Sequence, residues 1–201
     1  FDETVYMLQV PTDSAEVMDK AFQILGDWAH GVSFEAEEIE KERGVVIEEW
    51  RSGRGAGARM RDQQLPVWLK DSRYAERLPI GKKALLDTFA HESLKRFYSD
   101  WYRPDLMSVI AVGDFSIDSI EVLIKKTFEP IPRAENPRDR TSYSVPDREG
   151  TDFAIATDPE NSGSSVSVYF MQDVAPEGTK ENYRKQLQNG LKSFYFNNFA
   201  G

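Results

Sequence analysis

The chain has 201 residues and a net charge of -9, and 40% of its residues are hydrophobic and 12% aromatic. This composition is typical of a globular protein, and the acidic balance argues against binding to the phosphate backbone of nucleic acids. No apolar run reaches the roughly 20 residues that span a bilayer. The absence of cysteine excludes disulfides and thiolate metal sites, but it does not decide between periplasm and cytoplasm.

The N-terminal region predicts a strand followed by a helix. Residues 4–10 carry apolar side chains on both faces, which is typical of an internal strand of a sheet. Asp13 and, three residues later, Glu16 have the spacing of a capping box at the start of a helix. His30 follows the end of this helix, where a histidine most often caps the last carbonyl groups.

Residues 38–50 predict a second helix, which directs two carboxylates toward the same side. At 100° per residue, Glu42 and Glu49 share one face of this helix. The same face carries the apolar residues Ile39, Val45, Val46 and Trp50. Burial of an unpaired carboxylate costs several kcal/mol, so each is expected to meet a cation, a metal or a hydrogen-bond donor from another part of the protein.

Two interpretations of this carboxylate pair remain open from the residues alone. The pair could form a structural ion pair with a core-facing arginine, or it could belong to a functional site. Seven residues along a helix rise by about 10 Å, whereas a zinc–carboxylate bond is about 2.0 to 2.2 Å long. One carboxylate would therefore be a ligand, and the other would support the site.

The middle of the chain predicts alternating helices and strands. The glycine-rich residues 52–59 predict a flexible connection, because a dinucleotide-binding loop would need glycine where Met60 stands. The elements predicted after it are a short helix at 64–70, a helix at 90–102 stopped by Pro104, a strand at 106–112 and a helix at 117–128. This order predicts an α/β or α+β fold, a two-layer α/β sandwich with helices on one face of a sheet.

The last third of the chain changes character and predicts a linker followed by further secondary structure. Residues 133–150 are rich in proline and charge and predict a linker between residues 1–132 and residues 151–201. Beyond the linker, the sequence predicts a hairpin and a helix that begins near residue 180. The hairpin strands are 152–157 and 165–171, and the helix is expected to direct Leu187, Leu191 and Phe194 inward.

Several motifs over residues 1–132 resemble the pitrilysin and insulinase type of inverted-motif zinc metallopeptidases. They are Tyr6-Met7-Leu8-Gln9-Val10-Pro11, Glu42-Arg43-Gly44-Val45-Val46-Ile47-Glu48-Glu49, Arg77-Leu78-Pro79-Ile80-Gly81, Phe97-Tyr98, Trp101-Tyr102-Arg103-Pro104 and Val112-Gly113-Asp114. The resemblance implies that Glu49 is the third zinc ligand and Glu42 the supporting carboxylate. It also implies a largely antiparallel sheet, peptide substrates, and a border of the substrate chamber near Arg54 or Arg59.

The family's His-x-x-Glu-His motif, which supplies two zinc ligands and a general base, does not occur in this sequence. The chain contains two histidines, and His91-Glu92 does not begin the direct motif because position 95 is lysine. We therefore expect a fragment that begins within a domain and is inactive alone. The expected partners are the upstream part of that domain, a second clamshell half and, through self-association, further copies of the fragment.

Two alternatives to a peptidase remain. The chain could belong to a non-catalytic paralogue that acts as a structural or substrate-binding half of a clamshell. It could also be an unrelated interaction domain in which Glu42 and Glu49 form ion pairs.

Overall fold

The computed structural model describes residues 1–171 and 178–199, and the regular secondary structure within them is helical. The described α-helices are α1 (Ala15–His30), α2 (Ala36–Ser52), α3 (Ala56–Trp68), α4 (Lys83–Thr88), α5 (His91–Trp101), α6 (Ile117–Phe128) and α7 (Lys180–Phe199). Short 3-10 helices occupy Arg73–Glu76 and Pro104–Leu106. The chain divides into two compact units, Phe1–Ser162 and Gly163–Gly201.

The predicted α+β sandwich with a largely antiparallel sheet is wrong for this structure. None of the four segments predicted as strands, 4–10, 106–112, 152–157 and 165–171, forms a strand: Leu106 ends a 3-10 helix, and the other residues of these segments have no regular secondary structure. No backbone hydrogen bond joins any two of them within the described residues. A strand is stabilised by hydrogen bonds and side-chain contacts with a neighbouring strand, so an apolar pattern without such a neighbour does not produce a sheet.

Helix α1 packs against α6 in the first unit. Ser14 caps α1, since its hydroxyl accepts a hydrogen bond from the Val17 backbone N–H at 3.4 Å; the capping box predicted at Asp13 is therefore wrong by one residue. Glycine at position 26 permits the close approach of the two helices, because a Cβ there would lie 2.8 Å from Thr127 Cγ2. Ala21 and Phe22 of α1 and Ile120 of α6 are buried.

The helices predicted at 38–50, 90–102 and 117–128 are confirmed as α2, α5 and α6. Helix α3 differs from its prediction, because it begins inside the glycine-rich stretch and includes residues 56–59 of the segment expected to be a connection. Two arginines fasten its ends to a later part of the chain. Arg59 donates two hydrogen bonds of 2.7 Å to the carboxylate of Asp158, and Arg148 donates to the carbonyl oxygens of Val67 and Trp68.

The second unit contains α7, and the helix predicted from residue 180 is confirmed. The Asn182 backbone N–H donates to Thr179 Oγ1 at 3.1 Å at the start of this helix. Leu187 and Leu191 are exposed, so their predicted inward orientation is wrong. The side chain of Phe194 lies outside the described part of the structure.

Candidate functional site

Helix α2 is stabilised by oppositely charged side chains three or four residues apart. Lys41 Nζ lies 3.2 Å from Glu37 Oε1 and 2.6 Å from Glu38 Oε1, and Arg51 Nη2 lies 2.6 Å from Glu48 Oε2. Exposed pairs of this kind contribute about 0.2 to 0.5 kcal/mol each to a helix. They also give three of the helix's glutamates a cationic partner.

A fourth glutamate, Glu40, is held by two cationic or hydrogen-bonding groups. Arg43 Nε and Nη2 each lie 3.0 Å from a carboxylate oxygen of Glu40, and His91 Nε2 lies 2.5 Å from Glu40 Oε1. The Arg43 guanidinium, followed by the hydrogen bond with His91, lowers the pKa of Glu40 to about 2. His91, which the sequence excluded as a zinc ligand of the direct motif, therefore contacts α2 through this carboxylate.

Arg43 also fixes α2 against the end of α4. Its guanidinium donates to the Leu86 carbonyl at 2.6 Å and to the Phe89 carbonyl at 2.8 Å, and it lies 3.8 Å from the centre of the Phe89 ring. These bonds satisfy carbonyl groups at a helix end, which have no partner within the helix. A core-facing arginine is thus present, but its carboxylate partner is Glu40 instead of Glu42 or Glu49.

Glu42 and Glu49 are the two glutamates of α2 whose side chains make no hydrogen bond or ion pair with the described residues. Both are exposed, so the prediction that they are buried on the apolar face of the helix is wrong. The face that they share is only partly covered, since Ile39 is buried whereas Val45 is exposed. An exposed carboxylate keeps its water shell and needs no partner inside the protein.

Glu49 lies at the wall of an open cleft of about 630 Å³, and Glu42 does not line it. Helices α2 and α3, the 3-10 helix Arg73–Glu76 and residues 78–83 surround this cleft. Trp50, Leu65 and Ile80 contribute apolar surface to it. The cleft therefore combines one carboxylate that has no partner among the described residues with both apolar and charged lining residues.

The sequence indicated a border of the substrate chamber near Arg54 or Arg59, and the structure places one of these two arginines at the cleft. Arg54 lines the cleft, and its Nη1 lies 2.5 Å from Asp62 Oδ2. Arg59 is not among the lining residues, because Asp158 holds it. Sequence reasoning missed Arg61, another lining residue, because the predicted helix began at residue 64. The helix-forming side chains around Arg61 could have indicated the earlier start of α3.

The residues at this site do not by themselves fit a zinc centre. The described part of the chain contains no group of three histidine, cysteine, aspartate or glutamate side chains placed to hold a metal ion. A catalytic zinc site usually needs three protein ligands, and Glu49 supplies one carboxylate. The described residues can therefore contribute one ligand to a zinc site, but they cannot form the site alone.

None of the described helices combines the length and the apolarity needed to cross a lipid bilayer.

Residues 88–191 match the family described as the Peptidase M16 inactive domain. Helix α2, with Glu42 and Glu49, precedes the matched residues.

Three named relatives and structures resemble this chain along most of its length. A zinc protease PQQL-like protein from Arabidopsis thaliana is 36% identical over 94% of this chain and 20% of its own length. A probable zinc protease PqqL from Escherichia coli K12 is 28% identical over 98% of this chain and 21% of its own length. The crystal structure of the first half of the periplasmic protease PqqL from Escherichia coli matches with a TM-score of 0.61 and 31% identity, over 66% of this chain and 28% of that chain.

The chain thus spans about a fifth of the length of these curated relatives. The family match covers more than half of this chain, and the relatives are named zinc proteases. These findings confirm the resemblance to zinc metallopeptidases that the sequence motifs indicated. The chain belongs to the M16 family of metallopeptidases, the pitrilysin and insulinase type.

Proposed function

We propose that this chain contributes Glu49 as a zinc ligand and Glu42 as a supporting carboxylate to a zinc-dependent metalloendopeptidase. The observation that carries the proposal is the state of α2, in which the other glutamates have cationic partners and these two have none among the described residues. A carboxylate without a cation is free to bind a metal ion. Glu49 also faces the cleft, where a peptide could reach it.

The two carboxylates have different proposed roles because they are too far apart to bind one ion. Their seven-residue separation on α2 corresponds to a rise of about 10 Å. In the proposal, Glu49 binds the metal, and Glu42 accepts a hydrogen bond from a histidine ligand and so fixes the orientation of its ring. Two histidine ligands and a general base come from residues outside this sequence. The chain alone is therefore expected to have no peptidase activity.

The proposed substrates are peptides or small unfolded proteins, enclosed between this half and a second clamshell half. The proposed domain division has residues 1–132 in the peptidase domain, 133–150 as a linker and 151–201 at the start of the next domain. The structural relative described as the first half of a protease supports a paired arrangement. Because that relative is described as periplasmic, we extend the same compartment to this chain as part of the proposal.

The test is zinc content and peptide cleavage by the intact protease that contains this sequence, compared with three glutamine variants. We expect Glu49→Gln to lose both zinc and cleavage, because an amide oxygen is a far weaker zinc ligand than a carboxylate. We expect Glu42→Gln to lower zinc affinity or activity by roughly 10- to 100-fold, as loss of a hydrogen bond to a metal ligand does. Glu48→Gln is the matched control, since Glu48 is the neighbouring exposed glutamate and pairs with Arg51.

Full zinc content and cleavage in Glu49→Gln would overturn the proposal.

A second candidate function is favoured by the family description, which names an inactive domain. In that case the chain belongs to a non-catalytic half that holds substrate. An intact protein that binds peptides but contains no zinc and cleaves nothing would establish this candidate instead.

A further inference from the structure

The cleft beside Glu49 contains several charged side chains, and most of them are neutralised by near neighbours. Arg54 pairs with Asp62, and Lys83 Nζ lies 2.6 Å from Asp87 Oδ2. Lys82 Nζ lies 3.6 Å from Glu76 Oε2. These cations are therefore already committed to carboxylates of the chain itself.

Arg61 is the exception among the cations that line this cleft. It lies on α3 and is exposed, and within the described residues it makes no ion pair or hydrogen bond. A guanidinium presents its donors in a planar fork that matches the two oxygens of a carboxylate. Among the described residues, Arg61 is therefore the cation of this cleft that is free to bind an anionic group.

The apolar surface of the same cleft restricts the ligand further. Trp50, Leu65 and Ile80 line the same cleft and would contact the aliphatic part of a bound group. A carboxylate on a short aliphatic stem satisfies both features, since its stem meets the apolar lining while its oxygens meet the guanidinium. Such a group occurs in aspartate and glutamate side chains and at a peptide's C-terminus.

We propose that Arg61 binds a carboxylate of the peptide substrate. The cleft would then be selective for peptides that carry a negative charge in the part that lies in the cleft with Glu49. This inference rests on the proposed function, because it takes the cleft to be the place where a peptide lies. It assigns to Arg61 a role in specificity, distinct from the metal-binding role of Glu49.

The test is the binding of fluorescently labelled peptides to the full 201-residue chain, measured by anisotropy in the presence of a chelator. Three short peptides of otherwise neutral residues are compared. One carries an internal glutamate and an amidated C-terminus, one carries glutamine and a free C-terminal carboxylate, and one carries glutamine and an amide. The first two separate a side-chain carboxylate from a terminal one, and the third is uncharged at both places.

We expect at least one of the charged peptides to bind about three- to fivefold more tightly than the neutral one, as a partly exposed ion pair allows. Arg61→Gln should abolish this difference. Arg96→Gln should preserve it, because Arg96 is an exposed arginine of α5 outside the cleft. The far-ultraviolet circular dichroism of both variants should match the unaltered chain, since neither side chain has a partner to lose within the described residues.

Equal binding of the three peptides, binding of none, or a preference that survives Arg61→Gln would overturn the inference. The chelator keeps the assay independent of zinc. A failure here therefore leaves the Glu49 proposal standing, and a failure of the zinc test leaves charge selection by Arg61 standing.

Discussion

Neighbouring residues of α2 have different roles in this structure. Arg43 is a structural residue, because its side chain is 12% exposed and it bonds two carbonyl groups at the end of α4. Glu42, the preceding residue, is exposed, and its side chain makes no hydrogen bond or ion pair with the described residues. The helix therefore places a fixed, partly buried guanidinium next to a carboxylate that is free for another ligand.

The lowered pKa of Glu40 predicts a pH-dependent contribution to stability. Arg43 and His91 lower the pKa of Glu40 from 4.5 to about 2, so the folded protein binds this proton less readily than the unfolded chain does. The stabilisation is then fully present above pH 4.5 and is lost as the pH falls toward 2. Urea unfolding at a series of pH values should show a smaller loss of stability over this range in Glu40→Gln than in the unaltered chain.

Glu48→Gln is the control for this measurement, because Glu48 is an exposed glutamate of the same helix paired with a single arginine. It should retain the decline seen in the unaltered chain. If Glu40→Gln declines as steeply as the control, the contacts with Arg43 and His91 do not stabilise the folded state.

Residue patterns were sufficient for local features and insufficient for burial. The sequence placed Glu42 and Glu49 on one side of a helix because that depends on spacing alone. It wrongly predicted that this side is covered, since coverage depends on which other elements pack there. The exposed Val45 illustrates the difference.

The secondary-structure elements show the same division. Elements determined by neighbouring residues were predicted, and features that depend on residues distant in sequence were missed. Helix α6 lies at 117–128 as predicted, because Ser116 caps it and its apolar residues recur at helical spacing. The full extent of α3 was missed, because glycines precede it and its partners Arg148 and Asp158 are distant in sequence. The strand predictions were wrong for a related reason. A strand needs a second segment to pair with, and the residue pattern of one segment does not show whether such a partner exists.

The fastening of α3 by Asp158 predicts a local change in backbone protection. The Asp158 side chain is 7% exposed and accepts both bonds from Arg59, so Asp158→Ala removes the bidentate contact. Amide hydrogens in the first half of α3 should then exchange faster, while those of α6 should be unaffected. Hydrogen exchange followed by mass spectrometry measures both helices in one experiment.

Glu160→Gln is the comparison for this experiment. Glu160 also contacts Arg59, but its side chain is 72% exposed, and water can replace the contact. Its effect on exchange should be smaller than that of Asp158→Ala. Unchanged exchange in α3 of Asp158→Ala would mean that Arg59 does not stabilise the helix.

At the scale of the whole molecule, the described residues leave a large amount of apolar surface in contact with water. Ile110 and Val112 are 85% and 91% exposed, and Val166, Val168 and Phe170 are exposed along one segment of the second unit. Unpaired extended segments with such side chains readily pair with another chain. We therefore predict that the isolated chain self-associates.

A lysine at position 168 should reduce this association, because a charge in an apolar extended segment opposes pairing between chains. Sedimentation velocity should show a larger monomer fraction for Val168→Lys than for the unaltered chain. Ser167→Lys adds the same charge at a neighbouring exposed polar position and should have a smaller effect. A fully monomeric unaltered chain at all concentrations would contradict the prediction.

The fastening of α3 also determines when that helix can form. Arg59 and Asp158 are 99 residues apart in sequence, and Arg148 contacts the other end of the helix across about 80 residues. Closing a loop of that length costs about 4 kcal/mol of chain entropy beyond a constant term. Glycines before α3 and Pro66 within it weaken its intrinsic helix preference. Helix α3 should therefore form late in folding, after helices held by nearer contacts, and the cleft that contains Glu49 and Arg61 should be completed last.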